Sequence, residues 1–343
     1  MTDKGLAGKI LEGDEKSAAR LISLIEEGNE EGYRELSALF PCTTGAHVVG
    51  ITGPPGAGKS TITGRVAAAL SAQGKKVGVV AIDPTSAHGG GAFLADRLRM
   101  KDAEKKGIFI RSMAHRGYSG GIARAAAGAV CVLDGLGKDI VLVESVGAGQ
   151  TEKALFYLCD TVIVLFTPDY GDEVQLLKAG LMEIGDIFVV NKGDHPGAED
   201  TQRSLLMSSR NNQKKDDWIA PVLVTRADRG EGINEVVEEI GAHLRFISEG
   251  RRENRKKGKV GALMMGLLKE ELWKRFDTLL RDNKACMEIM EEAMSRKRDP
   301  YSAVERIMEK SFVGSEPDVP EPAAPIARDR IRKPGQRHHM RRG

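Results

Sequence analysis

Three glycines, a lysine and a serine occur at a characteristic spacing between residues 53 and 60. Residues 53–60 read Gly-Pro-Pro-Gly-Ala-Gly-Lys-Ser, which matches the pattern G-x-x-x-x-G-K-[ST] of the phosphate-binding loop, or P-loop. Backbone N–H groups of such a loop surround phosphate oxygens, and the start of the following helix adds positive charge. The lysine contacts the β- and γ-phosphates, and the serine hydroxyl ligates Mg²⁺. The residues predicted to bind a nucleoside triphosphate are Gly53, Gly56, Ala57, Gly58, Lys59, Ser60 and Thr61.

A second motif predicts which base is bound. Residues 191–194 read Asn-Lys-Gly-Asp, directly after an apolar run, and match N-K-x-D. A carboxylate at Asp194 accepts hydrogen bonds from the ring N–H and the exocyclic amine of guanine, whereas adenine presents a ring acceptor there; such pairing discriminates by about 10⁴–10⁵. Residues 225–227, Thr-Arg-Ala, resemble the loop behind the guanine ring, where Ser-Ala is usual. GTP is therefore expected, and the predicted base contacts are Asn191, Lys192, Asp194, Arg226 and Ala227.

Three acidic residues are candidates for a metal site. Glu144 and Asp83 lie at the ends of predicted strands, and Asp96 lies in the segment that follows Asp83. Glu144 ends an apolar run and precedes Ser-Val-Gly, which resembles the D-x-x-G segment of GTPases with Glu in place of Asp. An acid at this position holds Mg²⁺, usually through water, and the glycine amide contacts the γ-phosphate. No Gln directly follows that glycine, so positioning of water by an adjacent Gln is not expected. The predicted catalytic residues are Lys59, Asp83, Asp96, Glu144 and Gly147, and the predicted Mg²⁺ ligands are Ser60, Asp83, Asp96 and Glu144.

Short β-rich runs alternate with helical stretches between residues 46 and 245. This alternation predicts an α/β fold with a mostly parallel sheet and helices on both faces. Ligands of such sheets lie beyond the carboxyl ends of the strands, where the motifs above fall. The predicted strands are 47–52, 76–82, 108–111, 139–143, 161–167, 186–190 and 221–225.

The chain is predicted to have four parts. Residues 1–45 form an N-terminal helical segment, because apolar residues recur at helical spacing over 6–40, and 46–245 form a P-loop GTPase domain. Residues 246–313 form a C-terminal helical segment with an apolar stripe. Packing of that stripe on the domain or on a second subunit stays open from the pattern alone. Residues 314–343, rich in Pro and Arg, are predicted to be disordered.

The composition is that of a soluble two-domain protein, with 343 residues, 41% hydrophobic and 29% charged. A net charge of +2 argues against nucleic acid as the partner of the whole molecule. No run approaches the ~18 apolar residues of a membrane span, and no secretory signal is visible, so a cytoplasmic location without a membrane partner is expected. Reduced cysteines are expected because the four are widely separated: Cys42, Cys131, Cys159 and Cys286.

Taken together, these strings resemble the methylmalonyl-CoA mutase-associated GTPases of the MeaB/ArgK type. The likeness spans roughly residues 45–245, and the D-P-[ST]-S and V-E-[ST]-V-G-x-G-Q strings are distinctive of that family. The chain departs from the family pattern at His115, at Tyr118-Ser119, at Gly193 where Ala is commoner, and at Arg226 where Ser is usual. The segments that carry the resemblance are 52–61, 81–86, 93–100, 110–117, 120–124, 143–150, 171–175 and 182–194.

The resemblance implies a Mg²⁺-dependent GTPase that forms a homodimer through its C-terminal helices. It implies a chaperone of a cobalamin-dependent acyl-CoA mutase, gating adenosylcobalamin loading and protecting the mutase from inactivation. The cobalamin belongs to the partner mutase and is not expected to bind this chain tightly. By position, Lys59 and Ser60 serve phosphate and Mg²⁺, and the three acids line the Mg²⁺ and water site. Asn191, Lys192 and Asp194 read guanine.

Three other functions are weighed against this one. A nickel or zinc insertion chaperone of the same fold class needs a Cys/His site, which the scattered cysteines oppose. A transport-associated kinase or ATPase is opposed by the guanine motif. A non-catalytic scaffold gated by nucleotide is opposed by the intact P-loop and the three acids. The mechanism expected is in-line attack of water on the γ-phosphate of GTP.

Overall fold

A parallel β-sheet forms the centre of the protein. The computed structural model describes residues 4–83, 107–114, 121–145, 158–168, 181–211, 218–248 and 252–312. Within them, seven strands pair in parallel in the order β3-β2-β4-β1-β5-β6-β7. The predicted α/β fold is confirmed, and each predicted run overlaps a strand. The strands are β1 (His47–Thr52), β2 (Val77–Asp83), β3 (Phe109–Ala114), β4 (Ile140–Glu144), β5 (Thr161–Phe166), β6 (Ile187–Val190) and β7 (Val222–Val224).

Helices cover both faces of the sheet. The four strands β1, β4, β5 and β6 are buried along their whole length, as expected for a sheet covered on both sides. One core joins the sheet to α4 and α7, and a second joins it to α5 and the N-terminal helices. The helices that follow β1, β3, β6 and β7 are α4 (Lys59–Ala72), α5 (Gly121–Gly135), α6 (Ala198–Asn211) and α7 (Ile233–Ser248).

The N-terminal segment contains three helices. They are α1 (Leu6–Leu11), α2 (Glu15–Glu26) and α3 (Glu30–Leu39), followed by a short 3₁₀ turn. Gly13 and Gly28 separate these helices with positive φ angles of 95° and 72°. Asp14 and Asn29 then cap the next helices with their side-chain oxygens. Hydrogen bonding lowers the pKa of Asp14, first through the Ser17 hydroxyl and then through backbone N–H groups.

These N-terminal helices pack on the sheet. Leu21, Ile22 and Ile25 of α2 are buried in the same core as Val80 and Val143 of the sheet. Arg111 of β3 forms an ion pair with a glutamate of α2. The segment therefore adds a layer over one face, while the proposed boundary at residue 45 stays a prediction.

Three further helices follow α7. They are α8 (Arg252–Asp282), α9 (Lys284–Met294) and α10 (Pro300–Phe312). Cys286 and Ile289 of α9 pack against Ala303 and Ile307 of α10 to form a small separate core. Large apolar side chains of α8 remain exposed, including Trp273 at 63%. None of the helices in the described parts of the chain has the length and apolarity needed to cross a bilayer.

A buried chain of polar side chains crosses the amino ends of the central strands. The Thr161 hydroxyl lies 2.9 Å from His47 Nε2 and 2.8 Å from His243 Nδ1. Behind the two rings, His47 Nδ1 lies 3.8 Å from Asp160 Oδ2, and His243 Nε2 lies 3.6 Å from Asp186 Oδ1. This chain of side chains connects β1, β5 and α7 at the edge of the sheet opposite the P-loop.

Candidate nucleotide-binding site

The motif residues gather beyond the carboxyl ends of the strands. The P-loop follows β1, which lies between β4 and β5 in the sheet. In the strand register, Glu144 at the end of β4 pairs with Ile51 of β1 and with Ala81 of β2. The segment 191–194 follows β6, and 225–227 follows β7. The parallel topology thus brings these segments to one edge of the sheet.

Glycine is required at two positions of the P-loop. Gly53 has φ 147°, and a Cβ there would lie 2.6 Å from the carbonyl oxygen of Leu165. Gly58 has φ 88°, and a Cβ there would lie 2.3 Å from Asn191 Nδ2. Both distances are far inside van der Waals contact. The loop therefore runs directly against β5 and against the guanine motif.

Lys59 lies buried under the P-loop. Its ammonium donates hydrogen bonds to the carbonyl oxygens of Gly53 at 3.0 Å and Pro54 at 3.1 Å. Gly58, in the left-handed region, precedes it as the N-cap of α4. Because the ammonium spans the curve of the loop, its positive charge sits where a phosphate group would enter.

Ser60 and Glu144, two of the predicted Mg²⁺ ligands, lie in contact with each other. The Ser60 hydroxyl donates a hydrogen bond of 2.7 Å to Glu144 Oε1, and both side chains are buried. Below them, Ser145 Oγ and Thr52 Oγ1 lie 2.9 Å apart. Hydroxyl and carboxylate oxygens are the ligands that Mg²⁺ takes, so this pair fits that ion.

The remaining predicted catalytic residues are only partly covered by the structure. Asp83 is the last residue of β2, next to β4 in the sheet, but its side chain lies outside the described residues. Asp96 and Gly147 lie wholly outside them, as do the family strings at 93–100 and 171–175. Their assignment to the Mg²⁺ and water site stays a prediction.

Asn191 joins three segments of the site. Its amide nitrogen donates to the Ala57 carbonyl of the P-loop at 2.8 Å. Its amide oxygen accepts from the Thr225 hydroxyl at 3.1 Å and from the Ala227 N–H at 3.2 Å. The side chain is buried, with 5% of its surface exposed. The asparagine of the motif therefore braces the P-loop against the loop at 225–227. Thr225 was not among the predicted site residues, and its place directly after a strand was the available signal.

The glycine of the guanine motif has a packing reason. A Cβ at Gly193 would lie 2.5 Å from Val224 Cγ1, and the Gly193 N–H donates to the Thr225 carbonyl at 2.9 Å. Lys192 before it has φ 60°. An Ala at position 193 would require the Val224 side chain of β7 to move.

Asp194 lies at the rim of the site beside Arg226. Its side chain is 55% exposed, and its Oδ1 lies 3.6 Å from Arg226 Nε. Arg226 Nη1 also lies 3.4 Å from Glu231 Oε2. Arg65 of α4 donates to the carbonyl oxygens of Ala227 at 3.2 Å and Asp228 at 2.8 Å, which fixes the same loop from below. Arg65 and Glu231 were missed by motif analysis, because neither belongs to a motif.

The geometry above agrees with a comparison against known families. A family model for the methylmalonyl-CoA mutase-associated GTPase MeaB matches residues 18–280, well over half of the chain. The chain belongs to this family. The family is one of P-loop GTPases, and the match begins within α2 and includes α3, the whole sheet and most of α8.

Individual relatives agree with this membership. A putative GTPase of Pyrococcus horikoshii is 38% identical over 314 residues, which cover 89% of this chain and 97% of that protein. The mitochondrial methylmalonic aciduria type A homologue of Caenorhabditis elegans is 33% identical over 302 residues, covering 85% of this MeaB-family chain and 74% of that protein. The crystal structure of a LAO/AO transport system kinase superposes with a TM-score of 0.67 at 23% identity, covering 89% of this chain and 96% of that one, and shows the shared fold.

Proposed function

We propose that this MeaB-family protein binds and hydrolyses GTP in the presence of Mg²⁺. It uses the cycle to gate adenosylcobalamin loading into a cobalamin-dependent acyl-CoA mutase and to protect that mutase. The observation that carries the GTPase part is the Asn191 side chain, which connects the P-loop to the base-binding loop through three hydrogen bonds. The mutase part rests on family membership and on the relative named for methylmalonic aciduria.

In the proposed site, each side chain has a defined task. Lys59 exchanges its bonds to the P-loop carbonyls for bonds to the β- and γ-phosphate oxygens. Ser60 and Glu144 are the described residues that would hold the metal. Asp194 accepts two hydrogen bonds from guanine. A bound Mg²⁺ supplies positive charge to the phosphate oxygens as water attacks. Asp83, Asp96 and Gly147 complete the metal, water and γ-phosphate contacts in this proposal.

The substitution Lys59→Ala tests the phosphate contact. We expect loss of GTP binding or hydrolysis, since the charge that neutralises the phosphates is removed. Lys75→Ala is the matched control, because Lys75 is exposed just beyond the end of α4. Phosphate release is measured for both variants with GTP and Mg²⁺. Near-normal turnover in the Lys59 variant would refute the assignment.

The substitution Asp194→Asn tests the base assignment. The amide presents a donor where guanine also presents donors, so the preference for GTP over ATP should fall steeply. Binding of GDP and ADP is measured by calorimetry for the variant and the parent protein. An unchanged GDP-to-ADP affinity ratio would refute the role given to Asp194.

The client is tested by association with a mutase. An adenosylcobalamin-dependent acyl-CoA mutase is mixed with this protein in GTP and in GDP, and complex formation is followed by size-exclusion chromatography with light scattering. We expect a complex whose stability depends on the nucleotide, and the same measurement reports whether the chain is a homodimer. Absence of a complex with every candidate mutase would contradict the chaperone role while leaving the GTPase proposal standing.

A further inference from the structure

The two departures from the family pattern in the base-binding region meet in space. The Arg226 side chain runs along the backbone of Gly193, so that a Cβ at position 193 would lie 3.7 Å from Arg226 Cγ. The guanidinium then reaches Asp194, with Nε 3.6 Å from Oδ1. This separation is longer than a hydrogen bond and within the range of an ion pair, which contributes little at so exposed a site. Gly193 and Arg226 thus form one arrangement around the carboxylate that reads guanine.

Arg226 is held in this orientation from its other side. Its backbone pairs with Glu231 in an antiparallel bridge, with hydrogen bonds of 3.0 and 3.2 Å. The Glu231 carboxylate lies 3.4 Å from Nη1. The guanidinium is 24% exposed, and among the described residues its buried Nε has no hydrogen-bond partner. A buried N–H without a partner is costly, and the nearby Asp194 oxygen is positioned to accept from it after a small rotation.

We propose that Arg226 is a positioning residue that sets the discrimination of the 2-amino group of guanine, and this inference rests on the proposed guanine site. A terminal carboxylate torsion is broad, and Asp194 is more than half exposed, so nothing else described restrains its rotation strongly. When the nucleotide binds, a small rotation brings Asp194 Oδ1 within hydrogen-bond distance of Arg226 Nε, and the bond that forms fixes the plane of the carboxylate. One oxygen then faces the ring N–H while the other faces the exocyclic amine. Reading of both groups at once needs this fixed plane.

Inosine nucleotides separate this role from simple support of the loop. Hypoxanthine keeps the ring N–H of guanine and lacks the exocyclic amine. Loss of a carboxylate orientation therefore weakens GDP binding more than IDP binding, whereas a distorted loop weakens both equally. We expect Arg226→Ala to weaken GDP binding about tenfold and IDP binding about twofold, as for the loss of one hydrogen bond to a charged group.

The experiment measures GDP and IDP affinities by isothermal titration calorimetry on the full chain with Mg²⁺. Arg203→Ala is the matched control, since Arg203 is an exposed arginine of α6 whose partners are acids of its own helix. Its GDP-to-IDP ratio should equal that of the parent protein. Arg226→Lys should recover part of the ratio, because it keeps the charge and loses the planar N–H.

The outcomes are separable from those of the guanine proposal. A fall of about fivefold in the GDP-to-IDP ratio in Arg226→Ala, with IDP binding retained as evidence of folding, supports the inference. An unchanged ratio overturns it, whether both affinities fall together or neither does. No recovery in Arg226→Lys overturns the part assigned to charge. If Asp194→Asn lowers the GDP-to-ADP ratio and Arg226→Ala leaves GDP-to-IDP unchanged, the guanine site stands and only the role of Arg226 fails.

Discussion

Replacement of Asn191 by Ala should destabilise the nucleotide-free protein measurably. The change deletes three hydrogen bonds of 2.8, 3.1 and 3.2 Å in a site where the side chain is 5% exposed. Each bond contributes about 1 kcal/mol net, and buried partners left unsatisfied add to the cost. We therefore expect the free energy of unfolding to fall by about 3 kcal/mol, within the range seen for broken buried networks. Urea unfolding followed by circular dichroism measures it.

Thr225→Val is the graded control for this change. It removes one of the three bonds, that of 3.1 Å from the Thr225 hydroxyl, and keeps the shape of the side chain. We expect a loss of about 1 kcal/mol. Asn191→Asp, which is nearly isosteric, should cost at least as much as Asn191→Ala, because a carboxylate oxygen would face the Ala57 carbonyl at 2.8 Å. If Asn191→Ala costs no more than Thr225→Val, the bracing role assigned to Asn191 is wrong.

The remaining predictions concern one glycine pair, one buried hydroxyl and one thiol. Gly58→Ala should abolish GDP binding in calorimetry, because the added Cβ would lie 2.3 Å from Asn191 Nδ2. At Gly56 an added Cβ would have no atom within 4 Å, so Gly56→Ala should cost only about 1 kcal/mol of backbone strain. Thr161→Val should lower the free energy of unfolding by about 2 kcal/mol in urea titrations, since two imidazoles lose a shared partner; an unchanged value would count against the buried chain. Burial raises the pKa of Cys131 from 9.0 to about 12, so stability from this group is present below pH 9 and lost as pH rises through that range. Iodoacetamide at pH 8.5, followed by mass spectrometry, should label Cys131 much more slowly in folded than in urea-unfolded protein, and equal rates would contradict the raised pKa.

Sequence patterns predicted the sheet because its central strands are buried on both faces and therefore read as unbroken apolar runs. They also predicted that Ser60 and Glu144 lie close together. Ser60 comes after β1 and Glu144 ends β4, and the parallel topology brings the carboxyl ends of these two strands side by side. The N-terminal segment was expected to be helical without its internal breaks being assigned. Gly13 and Gly28, each followed by a capping Asp or Asn, carried the signal for the breaks.

Other features had no local signal to find. The contact of Arg226 with Asp194 joins residues on loops after different strands, and its geometry depends on the turn that pairs Arg226 with Glu231. The buried chain through Thr161 joins side chains 114 and 82 positions apart in the sequence. Spacing rules describe neighbours along one helix or strand, so contacts of this kind follow only from the three-dimensional packing of the sheet.

The polar chain at the amino ends of the strands has a consequence in proton counting. The Thr161 hydroxyl carries one proton, and two ring nitrogens lie within hydrogen-bond distance of its oxygen. The hydroxyl can donate to only one of them, so at least one of the two rings must donate to the Thr161 oxygen. The tautomers of His47 and His243 are therefore coupled through the first residue of β5, although the two rings belong to a strand and to a helix that are far apart in the sequence.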